Sequence, residues 1–234
     1  MKKILVINPN TSKTMTEDIN KTALLFANKN FLIDTVRAEK GPTSIDNFYE
    51  EAMSTVEVIK KIKMGSSKGY DGFLIACGFD PGIYGARNIT DKPVIGIGEA
   101  SFFVASMLGY KFSIIDSPNS AWAVNEDNVN RIGLEKRLAS IRTIEFGEVQ
   151  CCENKRLTIE KILTEAKLAI TQDHAEVIVL GCAGMTGMDL ELENELNIPV
   201  VDPIKAGISI LQSLISMNER TSQVSIFKKN VNKK

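Results

Sequence analysis

The chain has 234 residues, 44% of them hydrophobic, with 28 Lys plus Arg against 29 Asp plus Glu and a formal net charge of −1. This excludes a disordered chain, which would be poorer in apolar residues, and argues against a dedicated nucleic-acid binder, whose surface carries a basic excess. No apolar run approaches the ~18 residues of a membrane span.

The run Ile4 to Ile7, after two lysines, is too short to read as a secretion signal and predicts instead a buried strand ending at Asn8-Pro9-Asn10-Thr11-Ser12. Thr14 and Glu17 have capping-box spacing, which predicts a helix to about Asn28. Phe31 to Arg37 predicts a second strand and Gly41-Pro42-Thr43-Ser44 a loop. A long helix is expected from Ile45 to Met64, with Met53, Val56, Ile59 and Lys60 on one face and Gly65-Ser66-Ser67 as its break. Gly72 to Cys77 predicts a third strand, Pro81-Gly82 a short helix to about Asn88, Pro93 to Ile97 a fourth strand, and Glu99 to Leu108 a helix closed by Gly109. Strands alternating with helices predict a mainly parallel sheet.

The second half repeats the first. Phe112 to Ile115 followed by Asp116-Ser117-Pro118-Asn119-Ser120 parallels Leu5 to Ile7 followed by Asn8-Pro9-Asn10-Thr11-Ser12. Val177 to Cys182 parallels Phe73 to Cys77, and Pro-Val strands open 16 and 17 residues beyond the two cysteines, at Pro93 and Pro199. The expected fold is α/β, with two pseudo-symmetric Rossmann-like lobes, mainly parallel sheets and a cleft between them. Residues 1–100 form the first lobe, completed by the C-terminal helix 206–234, and residues 101–205 the second. Lys228 to Lys234 reads as a frayed tail.

Four cysteines, at 77, 151, 152 and 182, two of them adjacent, do not make a secreted disulfide framework, and a reducing cytosol is the expected compartment. Cys77 and Cys182 each stand where a strand hands over to a helix. Unpaired backbone N–H groups there favour an anion, and so a thiolate. Two thiols on opposite walls suit a reaction that removes a proton from one face of a carbon acid and returns one to the other. The intermediate enolate needs donors, for which the backbone after each cysteine and Asn10, Thr11 and Ser12 are candidates. Taken singly, each cysteine could equally be a small buried hydrophobe. Cys151 and Cys152 have no counterpart in the repeat and read as structural.

His174, the one histidine, reads as a surface loop residue, which leaves a Cys-His protease or a zinc cluster without support. Asp80 and Glu99 lie just past strand ends, placed to line the cleft, bind a substrate N–H or cap a helix. Pro118-Asn119-Ser120 and Asp202-Pro203 read as rim loops, and Thr186 as a cap for a helix through Glu195 that also meets the ligand. No dinucleotide fingerprint and no phosphate-binding loop is present, so no cofactor and no metal is expected.

Val6-Ile7-Asn8-Pro9-Asn10-Thr11-Ser12, Gly41-Pro42-Thr43-Ser44-Ile45, Ala76-Cys77 leading to Asp80-Pro81-Gly82, Pro93 to Ala100, and Leu180-Gly181-Cys182-Ala183-Gly184-Met185 together resemble the hydantoin racemase family. That family lies within the aspartate/glutamate racemase superfamily and includes allantoin racemases. The resemblance runs from about residue 3 to 215 and is weakest around 118 to 160. It implies a cofactor-independent racemase of 5-substituted hydantoins or allantoin, with Cys77 and Cys182 catalytic. Asn10, Thr11 and Ser12 would bind the cyclic ureide, and Gly78, Phe79, Asp80, Gly184 and Met185 would complete the clamp. It also implies a homo-oligomer, a tetramer or hexamer. The run Gly-Phe-Asp-Pro-Gly after Cys77 and the stretch around Trp122 depart from the family pattern, which puts pocket shape and substrate preference in question. The alternatives are an aspartate/glutamate-type amino acid racemase, a non-catalytic ureide-binding protein of the same fold, and an α/β protein with merely buried thiols.

Overall fold

The computed structural model describes residues 1–117 and 120–228. The first half runs β1 (Lys2–Asn8), α1 (Lys13–Leu24), β2 (Phe31–Arg37), α2 (Phe48–Ser67), β3 (Gly72–Ile75), α3 (Ile83–Arg87), β4 (Val94–Gly96) and α4 (Ile97–Leu108). The second runs β5 (Phe112–Asp116), α5 (Ala121–Arg131), β6 (Leu138–Thr143), α6 (Glu148–Glu153), α7 (Lys155–Asp173), β7 (Val177–Leu180), α8 (Asp189–Leu196), β8 (Val200–Val201) and α9 (Pro203–Ser216). Each half forms a four-stranded parallel sheet, ordered β2-β1-β3-β4 and β6-β5-β7-β8. The expected α/β fold with two like sheets is therefore observed.

Strand alternation divides the core. Ile4, Val6 and Leu74 of the first sheet and Ile114, Val177 and Val179 of the second belong to one cluster with α1, α4 and α9. The alternate residues Leu5, Ile7, Phe73 and Ile75 pack against Val58 and Ile62 of α2. Ile115, Ile178 and Leu180 do the same with Ile159, Ile162 and Ala166 of α7. Each such side chain, fully buried, contributes about 1.5–3 kcal/mol, so the continuous apolar strands are held from both faces.

Helix α4, from the first half, packs on β7 of the second, and α9 packs back on β3 and β4 of the first. Close approach here depends on small residues: a Cβ on Gly207 of α9 would lie 2.6 Å from Leu74 and 3.2 Å from Ile97. The C-terminal helix expected over 206–234 is shorter and shifted: it is α9, Pro203–Ser216, begun earlier by Asp202 as N-cap and by Pro203 at the first helical position. Residues 217–228 are not an α-helix, and 229–234 lie outside the described residues.

Other boundaries shift for local reasons. Helix α1 starts at Ser12, whose Oγ accepts the Met15 N–H at 3.2 Å, rather than at Thr14. It ends at Leu24, where tighter three-residue bonds from Leu25, Phe26 and Ala27 close it. Asn47, accepting from Glu50 N, delays α2 to Phe48. Its buried face is Ser54, Glu57, Val58, Lys61, Ile62 and Gly65, and the expected Met53 and Val56 are exposed. Strand β3 stops at Ile75, two residues short of Cys77, and β4 gives way to helix at Ile97. The stretch 118–160, unassigned by pattern, supplies α5, β6 and α6 and the start of α7.

Among the described residues no helix is long and apolar enough to cross a membrane.

Candidate active site

Both cysteines lie two residues past equivalent strands, Cys77 after β3 and Cys182 after β7. The strand ends are pinned alike: Ala76 N–H donates to Ile7 O and Gly181 N–H to Ile115 O, each at 2.8 Å. The loop after β1 therefore borders Cys77, and Asp116 at the end of β5 lies against Gly181, the neighbour of Cys182. The two ends meet through Gly78 and Gly181, because a Cβ on Gly78 would fall 1.9 Å from the Gly181 carbonyl oxygen. Only glycine permits that approach.

The surroundings of the two thiols differ. Cys77 packs with Ile45, Phe79, Ala121 and Val124. Cys182 is the N-cap of the 3-10 turn Ala183–Met185, and its Sγ accepts the Gly184 N–H at 3.2 Å. A thiolate accepts such a bond better than a thiol does, so the contact favours the anion. Met185 is fully buried behind this turn, and its N–H returns to Cys182 O. Cys152 of α6 also reaches the turn, with Sγ 3.8 Å from Gly184 O. It is thus a support of the Cys182 loop, and Cys151 is a core residue of the second lobe.

Asn10, Thr11 and Ser12 lie on the loop bordering Cys77, and their polar groups hold that loop together. Asn10 Oδ1 accepts from Ser12 N and from Asn8 Nδ2, both at 2.9 Å. Thr11 donates through N and Oγ1 to Pro42 O, at 2.9 and 3.1 Å. This joins the Asn8–Ser12 and Gly41–Ser44 loops, and the second leads directly to Ile45 over Cys77. Ser120, at the start of α5, donates to the Asp46 carbonyl and closes the same side. Pro118 and Asn119, expected on this rim, lie outside the described residues. Trp122 is half exposed, and α5 faces the site instead with Ala121, Val124, Asn125 and Asn128.

Each cysteine loop is tethered to the helix that follows the next strand, by a carboxylate placed on opposite partners in the two lobes. In the first, Asp80 stands on the cysteine loop and accepts from Gly98 N and Glu99 N of α4, at 2.9 and 2.8 Å. The N-cap there is Gly96, whose Cβ would overlap the Asp80 carboxylate. In the second, Asp202 is itself the N-cap, binding Ile204 N and Lys205 N and reaching back to Gly187 N at 2.7 Å and Thr186 Oγ1 at 2.8 Å. Thr186 therefore anchors the loop through Asp202 and Thr22, and does not cap α8.

Burial is the main cause holding Asp80, Asp116 and Asp202 above the usual carboxylate range; Glu99 adds to it at Asp80. Asp80 has φ 51, a conformation sustained by its fixed carboxylate. Of the three roles open to Asp80 and Glu99, both side chains take the helix cap, Glu99 by accepting from Gly96 N at 3.4 Å, and Glu99 also pairs with Arg87. His174 is an exposed helix terminus in the left-handed region. Among the described residues no three His, Cys, Asp or Glu side chains converge to hold a metal ion.

Pattern reading missed Asn125, Asn128 and Asp116. Asn125 donates to Asp116 at 2.7 Å, Asn128 donates to Gly78 O at 3.3 Å, and Asp116 lies against Gly181. The signal for Asp116 was its place in the repeat, matching Asn8.

The family model for Asp/Glu/Hydantoin racemase matches residues 4–211. A hydantoin racemase from Pseudomonas sp. (strain NS671) is 40% identical over 226 residues, covering 97% of this chain and 91% of the relative. One from Paenarthrobacter aurescens is 33% identical, covering 97% of each. Among solved structures, the allantoin racemase from Klebsiella pneumoniae superposes with a TM-score of 0.96 at 31% identity, over 100% of this chain and 95% of that one.

Proposed function

The chain belongs to the Asp/Glu/hydantoin racemase family, and from that premise we propose that it racemises a cyclic ureide, a 5-substituted hydantoin or allantoin, with Cys77 and Cys182 as the two acid–base groups. The observation that carries the reading is the equivalence of the two cysteines, each two residues past its strand, on strand ends that touch at Gly78 and Gly181.

The C5 hydrogen of a hydantoin is acidic because the adjacent carbonyl takes up the charge when it leaves. One cysteine, as thiolate, removes that proton and becomes a thiol. The other, as thiol, delivers its proton to the opposite face of the planar enolate and becomes a thiolate. One proton leaves C5, one arrives, and the centre is inverted. For the other enantiomer the residues exchange roles, so matched groups suit a reaction whose substrate and product are equally acidic. The enolate oxygen is met by the backbone N–H groups of Gly78 and Phe79, with Asn10, Thr11 and Ser12 shaping the loop beside them. The N–H groups of Asp80, Gly184 and Met185 bind Cys77 O, Cys182 Sγ and Cys182 O, so these residues serve the clamp by holding the cysteine loops. The reaction as written needs no cofactor. A cytoplasmic homo-oligomer, a tetramer or hexamer, belongs to the same reading.

The test is the decay of the circular dichroism of L-5-benzylhydantoin and of S-allantoin in deuterated buffer, with mass analysis and subtraction of the spontaneous rate. Enzyme-dependent decay with one deuterium gained at C5 is expected. No decay or exchange with either ureide, alongside turnover of aspartate or glutamate, would replace the reading with the amino acid racemase.

A further inference from the structure

The face of α5 turned to the site carries a buried polar atom that no described protein group uses. Asn125 is fully buried, and its Nδ2 donates to Asp116 Oδ2 at 2.7 Å, which fixes the orientation of the amide. Its Oδ1 finds no hydrogen-bond partner among the described residues. Ser117 Oγ, buried next to Asp116, is likewise unpartnered among them. Native interiors rarely leave such atoms unused, and a ligand is one explanation when they border a site.

Position ties Asn125 to both thiols. Ala121, one turn earlier on the helix, and Val124, the residue just before, pack with Cys77. Almost one turn later, Asn128 donates to Gly78 O. Asp116, which holds Asn125, lies against Gly181, the neighbour of Cys182.

We propose that Asn125 Oδ1 accepts a substrate N–H group and thereby selects a ureide over a substrate that presents a carboxylate. This rests on the racemase reading above and narrows its substrate class. One Nδ2 hydrogen of Asn125 is committed to Asp116, which fixes the amide and leaves Oδ1 as its unpartnered acceptor among the described residues. Asp116 and Asp46 add carboxylate character to the same wall, and Asp46 Oδ1 is also buried without a partner among the described residues. A hydantoin brings two ring N–H donors, at N1 and N3, and allantoin brings more on its ureido arm. A free acidic amino acid brings an ammonium that the same acceptor would take, but also two carboxylates, which lie unfavourably against Asp46 and Asp116.

The experiment compares kcat/KM for 5-benzylhydantoin, its 1-methyl and 3-methyl derivatives, and allantoin, each normalised to its spontaneous racemisation rate, with wild-type enzyme and Asn125→Ala. Aspartate and glutamate are run beside them. The wild type is expected to lose at least about tenfold on methylation of one ring nitrogen, or to favour allantoin by a similar factor if the ureido arm is the donor. Asn125→Ala erases that discrimination while still turning over the derivative that lacks the N–H. Should this variant not fold, Asn125→Ser, whose hydroxyl can still donate to Asp116, replaces it. Equal turnover of all the hydantoins by the wild type would overturn the proposal, as would discrimination unchanged in the variant. Either result would leave the racemase reading intact. Turnover of the acidic amino acids alone, or of no substrate, would overturn both.

Discussion

The α-carbon of Gly78 lies against the carbonyl oxygen of Gly181, so close that a single added methyl group would stand 1.9 Å from it. That contact brings the ends of β3 and β7 together and sets how far apart the two cysteines stand. Gly78→Ala must push backbone from backbone, since the obstructing atom is not a side chain that can turn away. We expect a loss of about 1–3 kcal/mol in stability and a fall of at least about a hundredfold in kcat. Urea melts and racemisation rates on the same preparation check it, and near-normal turnover would show that the spacing of the strand ends is not critical.

Cys77→Ser and Cys182→Ser separate the two half-reactions. Each variant should lose about a thousandfold or more in overall racemisation, because a serine hydroxyl is a poor base at neutral pH. Each should still exchange the C5 hydrogen of one enantiomer, and the two variants should act on opposite enantiomers. Deuterium uptake into resolved L- and D-5-benzylhydantoin reads this directly. Unimpaired racemisation in either variant would end the two-base mechanism.

Asp80 gives stability a pH dependence of known sign. Burial, with the charge of Glu99 beside it, pushes this carboxyl up to about 8 from 3.8. The folded protein therefore keeps a proton that the unfolded chain gives up above about pH 4. The contribution is fully present below the unfolded value and is lost as pH rises through the folded one. Between pH 5 and pH 8 the wild type should lose more stability than Asp80→Asn, which cannot titrate. Parallel slopes in urea melts at the two pH values would contradict it.

Asp202 serves four donors at once: Thr186 Oγ1 and the N–H groups of Gly187, Ile204 and Lys205. Asp202→Ala removes a helix cap and strands buried donors, a cost of about 2–4 kcal/mol. Thr22→Val, which removes only the outer member of this chain, should cost about 1 kcal/mol. Equal losses in the two variants would show that the carboxylate is not the centre of the tether.

What the sequence made legible follows from where polar residues fall. Ile4 to Ile7 and Val177 to Leu180 are buried on both faces, so their strands show as unbroken apolar runs, and Cys77 and Cys182 stood out because they recur at the ends of such runs. Helix α2 misled because Glu57 and Lys61 are on its buried side, paired with Lys60 and Glu39, while Met53 and Val56 face outward. Helix α5 left little pattern because Asn125 and Asn128 interrupt its buried stripe. The roles of Asp80 and Asp202 could not be told apart from rim residues, since each depends on a backbone N–H group brought near only by folding.

The crossing of α4 and α9 has a consequence for how the molecule comes apart. Each half of the chain lends a helix to the other's sheet, and one apolar cluster joins both. Neither half holds the material to close its own interior. A break in the backbone between Leu108 and Phe112 should thus yield two pieces that stay unfolded alone and recover structure on mixing. The intact chain should melt in one cooperative step, so the geometry between the thiols persists or vanishes with the molecule as a whole.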